Sequence, residues 1–374
     1  MIKIAYLITY IVNNGPSRVV INLINGLDRS SFTPLLITLV SDKNDAGIIE
    51  QIRRQTKVIE MDMADNKDCL LRGRSVFEGA LEQEGVSIVH SHGLIPDMVA
   101  VLYGKRFLRV STLHNNLWED YAAEYGRIGR YFWAPLHVRV LKKMDRCVCC
   151  SSSVFDAVRA SLPKCSYVRN GISTQQEDPN TDEHEKELIE RTVSQIPDKA
   201  FVFLFAGRMI DRKKPEWLVR EFTASHAEDE YLIMAGDGPL LETCRAQSDE
   251  HVIFPGFVKN IRSLYKIADV YVSASSSEGL SISVIEAMEQ GNALLLSDIP
   301  SHRELVGISD DCYPGELFRE QDFKKHLEKL RENRALLDRS KIRDIQIRYL
   351  SGAAMARGYE AVYDQLSPSG KAGI

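Results

Sequence analysis

The sequence predicts an α/β protein built as two doubly wound parallel sheets. Three observations carry this. Short, wholly apolar runs alternate with helical patterns, as strands covered on both faces do. The alternation stops in a polar, acidic stretch at residues 173–198 and then starts again. The length, 374 residues, suits two domains rather than one or four.

The elements follow in order. Ile2–Thr9 is an apolar strand, and Asn13-Asn14-Gly15-Pro16 is its turn. No small-x-small cleavage pattern follows, so this start reads as a strand rather than a secretory leader. An amphipathic helix spans Ser17–Leu27. Strands at Thr33–Val40, Lys57–Met61, Ser87–His90, Val110–Leu113, Arg146–Cys150 and Cys165–Val168 alternate with helices near Ala46–Gln55, Gly73–Glu84, Pro96–Tyr103 and from Ser152. Residues 171–198 read as a linker with a surface helix. Strands then recur at Phe201–Phe205, Tyr231–Ala235, Val252–Phe254, Val270–Ser273 and Ala293–Ser297. Helices between them lie at Lys214–Ser225, Leu240–Gln247, Ile261–Lys266 and Ser281–Gln290, with another starting at His302. After residue 320 the chain is helical and charged, and its last helix, near Gly352–Leu366, could pack on either domain.

Composition narrows the function. Hydrophobic residues are 44% and charged residues 26%, which excludes disorder and collagen-like repeats. The net charge of −5 argues against a nucleic-acid binder. No apolar run approaches a membrane span. Seven cysteines, an odd number without paired metal spacing, read as reduced core residues of a cytoplasmic protein. The charge is uneven. Residues 1–170 carry 22 Lys and Arg against 17 Asp and Glu, and residues 171–374 carry 25 against 35. The basic excess gathers in residues 118–146, where Arg127, Arg130, Arg139, Lys142, Lys143 and Arg146 interleave with Trp118, Tyr121, Tyr125, Tyr131, Phe132 and Trp133. Two readings stand: an interfacial surface for anionic lipid, or a helix pair whose aromatics are core, since four acids dilute the charge.

Several chemistries lack their motifs. There is no P-loop, no Gly-x-Ser-x-Gly elbow, no His-Glu-x-x-His and no Asp-x-Asp pair. Gly236-Asp237-Gly238-Pro239-Leu240-Leu241 lacks the third glycine of a dinucleotide fingerprint. What is present suits an anionic ligand. Ser275–Met288 runs from a strand through Glu278 and Gly279 into a helix carrying Glu286, so backbone N–H groups face a diphosphate at the helix start. A carboxylate there also suits a ribose diol. Gly207-Arg208, with Lys213, puts two cations after another strand, able to neutralise a leaving diphosphate. Gly15 opens the first helix to close approach. His90, His92 and His114 end two strands and can hydrogen-bond a substrate hydroxyl.

Taken in order, these residues resemble the retaining glycosyltransferases of family 4, which have the GT-B fold. The resemblance runs through Asn14-Gly15-Pro16, His90-Ser91-His92-Gly93, His114, Asn170-Gly171-Ile172, Gly207-Arg208 with Lys213, Gly236-Asp237-Gly238-Pro239, Phe254-Pro255-Gly256-Phe257-Val258, and Glu278 with Glu286 at the family's Glu-x7-Glu spacing. Three positions depart from the family pattern: Asn14 for a glycine, Ser281 for proline or phenylalanine, and Arg212 for the glutamate before Lys213.

The resemblance implies two facing Rossmann-like domains with a deep cleft. An acceptor domain covers residues 1–172, with a helix at about 352–374 crossing back to it, and a donor domain covers 173–351. It implies sugar transfer with retention and no metal or other cofactor. The donor is a nucleoside-diphosphate sugar, UDP ahead of GDP. The acceptor is a lipid-linked glycan of bacterial capsule, O-antigen or exopolysaccharide synthesis. By the same resemblance His114, Arg208, Lys213 and Glu278 act at the reacting centre. Gly15, Gly207, Gly236, Gly238, Phe257, Val258, Gly279, Leu280, Ser281 and Glu286 bind the donor. On the interfacial reading of residues 118–146, taken from their composition and not from a family motif, Tyr121, Tyr125, Arg127, Arg130, Arg139, Lys142 and Lys143 face the acceptor or the inner leaflet of the cytoplasmic membrane. A catalytically silent partner subunit and a nucleotide-sugar epimerase stand as alternatives on the same fold.

Overall fold

The computed structural model describes residues 1–173, 183–310 and 312–367. Part of the expected linker (174–182) and the end of the expected last helix (368–374) lie outside the described residues. The chain divides into two compact units, Met1–Ser173 with the segment from Leu350, and Thr174–Tyr349.

The first unit holds a seven-stranded sheet. Its strands are β1 (Ile2–Ile8), β2 (Phe32–Thr38), β3 (Lys57–Glu60), β4 (Ile88–His92), β5 (Leu108–Leu113), β6 (Arg146–Cys149) and β7 (Cys165–Tyr167). Their order is β3-β2-β1-β4-β5-β6-β7, and every pairing is parallel. The order reverses between β1 and β4, the switch point beside which open α/β sheets bind ligands. The Gly15–Gly26 helix starts at Asn14, whose side chain accepts from Ser17 N at 3.0 Å. Asn14 thus satisfies an otherwise unpaired N–H of the first turn, which accounts for its departure from a glycine.

The helix Gly352–Leu366 packs on this unit through a buried polar chain. The Tyr6 and Tyr363 hydroxyls lie 3.0 Å apart, Tyr363 meets His90 Nδ1 at 2.7 Å, His90 Nε2 meets Thr112 Oγ1 at 2.8 Å, and Thr112 meets Tyr359 at 2.7 Å. Both nitrogens of His90 are therefore used inside the core, and burial pushes its imidazole down to about 3. His90 is a core residue rather than a strand-end contact for substrate.

The second unit holds β8 (Phe201–Ala206), β9 (Glu230–Ala235), β10 (Val252–Gly256), β11 (Val270–Ser273), β12 (Ala293–Ser297) and β13 (Gly315–Phe318), in the order β10-β9-β8-β11-β12-β13, all parallel. Its switch point lies between β8 and β11. The edge strand β13 is not among those the sequence predicts. Its residues, Gly315-Glu316-Leu317-Phe318, begin on a glycine and include a charged side chain, so they lack the continuous apolar run that marks the other buried strands. Phe318 is nonetheless buried and stacks on Trp217 with centroids 5.6 Å apart. The stretch between the sheets contains a helix at Glu183–Val193, and Glu185 on it accepts from Asn260 N.

Candidate active site

In the second unit, the loops after β8 and β11 flank the switch point, and three charged side chains meet there. Lys213 Nζ lies 2.5 Å from Glu278 Oε1, and Arg212 Nη1 lies 3.5 Å from Glu278 Oε2. Arg212 also donates to the Ser277 carbonyl at 3.0 Å. The Lys213 and Glu278 side chains are only 12% and 9% exposed. Burial acts to raise the Glu278 carboxyl, but Lys213 and Arg212 outweigh it and hold it at about 2. His302, fully buried, donates through Nδ1 to the Ser297 carbonyl at 2.9 Å, and burial pushes its imidazole down to about 4. Glu278 and Lys213 both act on it electrostatically, so a neutral imidazole sits within reach of the pair.

The helix Ile282–Gln290 begins just past this pair. Ser281 is its N-cap residue, and Gly279, Leu280 and Ser281 are buried at its start. Glu286 lies within the helix, held by the Tyr265 hydroxyl at 3.3 Å. Arg208 is exposed on the loop after β8, and Gly207 precedes it, with the Lys213 Cε where a Cβ would come within 3.8 Å. Gly236 follows β9 with φ +143, and a Cβ there would stand 2.0 Å from the Gly207 carbonyl oxygen. Gly238 approaches Met209 in the same way. These two glycines let the β9 loop press on the β8 loop, a packing reason independent of any ligand. After β10, Phe257 is 61% exposed while Val258 is buried.

In the first unit, His92 ends β4 and His114 follows β5. His92 Nδ1 and His114 Nε2 are 3.0 Å apart, so one ring donates to the other. Burial lowers both imidazoles, His114 to about 4, which keeps the pair neutral near pH 7. His92 Nε2, on the other side of the pair, is buried without a hydrogen-bond partner. Gly15 is exposed at its helix start, and a Cβ there would meet nothing within 4 Å. Tyr121 is half-buried, its hydroxyl 3.0 Å from His137 Nδ1. That makes it an anchor rather than a surface side chain. Tyr125, Arg127, Arg130, Arg139, Lys142 and Lys143 are exposed. Among the described residues, no three or more His, Cys, Asp or Glu side chains are arranged to hold a metal ion, and no helix is long and apolar enough to cross a membrane.

The model of Glycosyltransferase Family 4 matches residues 13–176, and that of Glycosyl transferases group 1 matches residues 200–333. The chain belongs to glycosyltransferase family 4. It is a glycosyltransferase. The O-antigen biosynthesis glycosyltransferase WclY of Escherichia coli is 25% identical to it over 97% of this chain and 98% of that protein. The UDP-Gal:alpha-D-GlcNAc-diphosphoundecaprenol alpha-1,3-galactosyltransferase of Escherichia coli is 23% identical over 63% of this chain and 64% of its own length. Among solved structures, Anabaena Alr3699/HepE in complex with UDP-glucose is similar, with a TM-score of 0.78 at 14% identity, covering 98% of this chain and 100% of that one. The fold of this glycosyltransferase is GT-B.

Two of the residues gathered in the glycosyltransferase's second unit are not evident from its sequence. Arg212 reads there only as a departure from the family's glutamate, yet it gives Glu278 its second cation. His302 reads only as a helix start. The signal available for it was its position just after β12, the strand next to β11, whose loop carries Glu278.

Proposed function

We propose that this glycosyltransferase moves a hexose from a UDP-sugar, with retention and without a metal, to a lipid-linked glycan acceptor of O-antigen or related polysaccharide synthesis. The observation that carries the reading is the Lys213–Glu278 pair beside the switch point, with Arg212 behind it. A diphosphate arriving at the start of the Ile282–Gln290 helix offers Lys213 a second anion. Arg212 remains to hold Glu278, so Lys213 can serve the phosphate without leaving a bare buried carboxylate. The names of relatives support donor and acceptor class. One uses UDP-galactose and a diphosphoundecaprenol-linked sugar, one serves O-antigen biosynthesis, and a structural neighbour binds UDP-glucose.

In this reading the anomeric carbon–phosphate oxygen bond breaks, and a bond to the acceptor hydroxyl forms on the same face. The acceptor proton passes to the departing phosphate. Negative charge grows on the diphosphate, where Lys213, exposed Arg208 and the helix N–H groups stabilise it. Glu286, positioned by Tyr265, takes the ribose diol. Glu278 and the Gly279–Ser281 amides take the sugar, the backbone at Phe257-Val258 meets the base, and His114 offers Nδ1 to a substrate hydroxyl. Gly207 keeps the Lys213 stem close, and Gly15 leaves the first helix start open.

The test is turnover by the isolated chain. UDP- and GDP-sugars are offered with a diphosphoundecaprenol-linked sugar, with and without EDTA, and the new linkage is read by NMR. A linkage with the donor's anomeric configuration, formed equally with EDTA, is expected. An inverted linkage, or an absolute metal requirement, overturns the mechanism. Donor turnover in no condition points to the silent partner subunit instead. An epimerised sugar released without acceptor points to the epimerase.

A further inference from the structure

The described residues expose fourteen large hydrophobic side chains, and four of them fall within eight residues. Tyr125 is 50% exposed, Ile128 69%, Tyr131 71% and Phe132 58%. Charge is sorted around them. Residues 125–144 contain Arg127, Arg130, Arg139, Lys142 and Lys143 and no acidic residue, while the neighbouring acids sit at Glu119, Asp120, Glu124 and Asp145. All five cations are exposed. The acids that dilute the charge of the longer stretch therefore lie outside its apolar tip.

The backbone makes this tip a built feature. Gly126, at φ 59 and ψ −141, breaks the Leu117–Ile128 helix. The chain then makes a five-residue π-helical turn, Gly129–Trp133, before the Ala134–Leu141 helix. A Cβ on Gly129 would stand 1.7 Å from the Tyr121 carbonyl oxygen, so the turn folds tightly back. Such local departures from the α-helix recur at functional sites. Below the tip, a polar chain holds it. The Tyr121 hydroxyl meets His137 Nδ1 at 3.0 Å, His137 Nε2 donates to Asp97 Oδ2 at 2.7 Å, and Ser91 on β4 donates to Asp97 Oδ1 at 2.5 Å. Asp97 and His137 are buried. The tip is thus tied to β4, the strand that ends in His92.

We infer that the Tyr125–Trp133 tip is a membrane-docking surface for a bilayer containing anionic lipid. Tyr131, Phe132 and Ile128 enter the headgroup layer, where amphipathic and aromatic side chains are favoured. Arg127, Arg130, Arg139, Lys142 and Lys143 meet lipid phosphates. Five cations without an acid fit a surface of one sign better than a protein face, which mixes signs. Delivery to a lipid-linked acceptor rests on the function proposed above, but the docking itself does not.

The experiment uses the full chain and two vesicle types, phosphatidylcholine alone and phosphatidylcholine with phosphatidylglycerol. Co-sedimentation is measured for wild type, for Ile128→Ser/Tyr131→Ser/Phe132→Ser and for Arg127→Glu/Arg130→Glu. UDP binding is measured on the same preparations. Wild type is expected on the phosphatidylglycerol vesicles only, and released at about 1 M salt, where screening shortens to about 3 Å. Reversing the two arginines lowers partitioning by about tenfold or more. The serine variant loses binding while keeping UDP affinity, which shows that it folds. Equal binding to both vesicle types, no binding by wild type, or undiminished binding by the serine variant overturns the inference. So does wild-type self-association that the serine variant abolishes, which would make the tip a contact between copies of the chain. UDP binding without vesicle binding removes the docking surface and leaves the function reading. Vesicle binding without UDP binding does the reverse.

Discussion

Removing the Lys213 charge should destabilise the second unit, and removing Glu278 as well should recover part of the loss. Glu278 sits at about 2 against an ordinary 4.5. At about 1.4 kcal/mol per pH unit, that gap corresponds to about 3 kcal/mol favouring the charged, paired form. Both side chains are nearly buried, so solvent screening discounts little. Lys213→Met leaves Glu278 with Arg212 alone, at 3.5 Å, and should cost about 2–3 kcal/mol at pH 7. For a unit of this size that is a fall of roughly 5–10 °C in Tm. Lys213→Met with Glu278→Gln should show a coupling of at least about 1.5 kcal/mol relative to the two singles. The sign with pH is fixed. Because the folded carboxyl is depressed, its contribution is present above about pH 4.5 and is lost as pH falls towards 2. Trp217, stacked on Phe318, is the one tryptophan of the second unit. Its fluorescence in a Trp118→Phe/Trp133→Phe background reads that unit's unfolding. Additive single effects, or a Lys213→Met protein as stable as wild type, would refute the pairing argument.

Other expectations follow from single residues. Gly236→Ala places a Cβ against the Gly207 carbonyl at a left-handed φ and should lose about 2 kcal/mol or more, together with UDP affinity, by thermal shift and titration. Gly15→Ala meets nothing and should be neutral or stabilising by up to about 1 kcal/mol; a loss of turnover without a loss of stability would then report ligand approach. Arg212→Ala should weaken UDP binding about tenfold, since Lys213 must then serve Glu278 and phosphate together; unchanged affinity would contradict that division. His114 is depressed to about 4, so it destabilises the fold progressively as pH drops from about 6.5 to 4. His114→Gln should flatten that limb in urea titrations of the first unit, and an unchanged limb would contradict the depression.

The sequence shows the two sheets because their strands are buried on both faces and read as continuous apolar runs. It does not show β13, where Gly315 and Glu316 leave only two apolar residues in a row. Motif positions were legible because loops after successive strands carry them in order. Which side chains pair was not. Arg212 joins Glu278 across 66 positions, and the Tyr121–His137–Asp97 chain links residues 16 and 40 apart, contacts set by how strands and helices stack. His90 shows the opposite error, since a strand-end histidine looks like a ligand contact until both its nitrogens are found bonded in the core. Exposure in the aromatic-basic stretch was equally hidden. Tyr121 turns inward, Tyr125, Tyr131 and Phe132 turn out, and only the break at Gly126 and the π-helical turn sort them.

If Lys213, relieved of Glu278 by Arg212, holds the donor diphosphate as proposed, UDP affinity depends on its charge. The measurement is calorimetric titration of UDP into wild type and Lys213→Met, each with EDTA. Saturable UDP binding weakened roughly 10–100-fold in the variant is expected, as for loss of one charge-assisted hydrogen bond. Equal affinities for UDP in the two proteins, with both folded by Trp217 fluorescence, would contradict it.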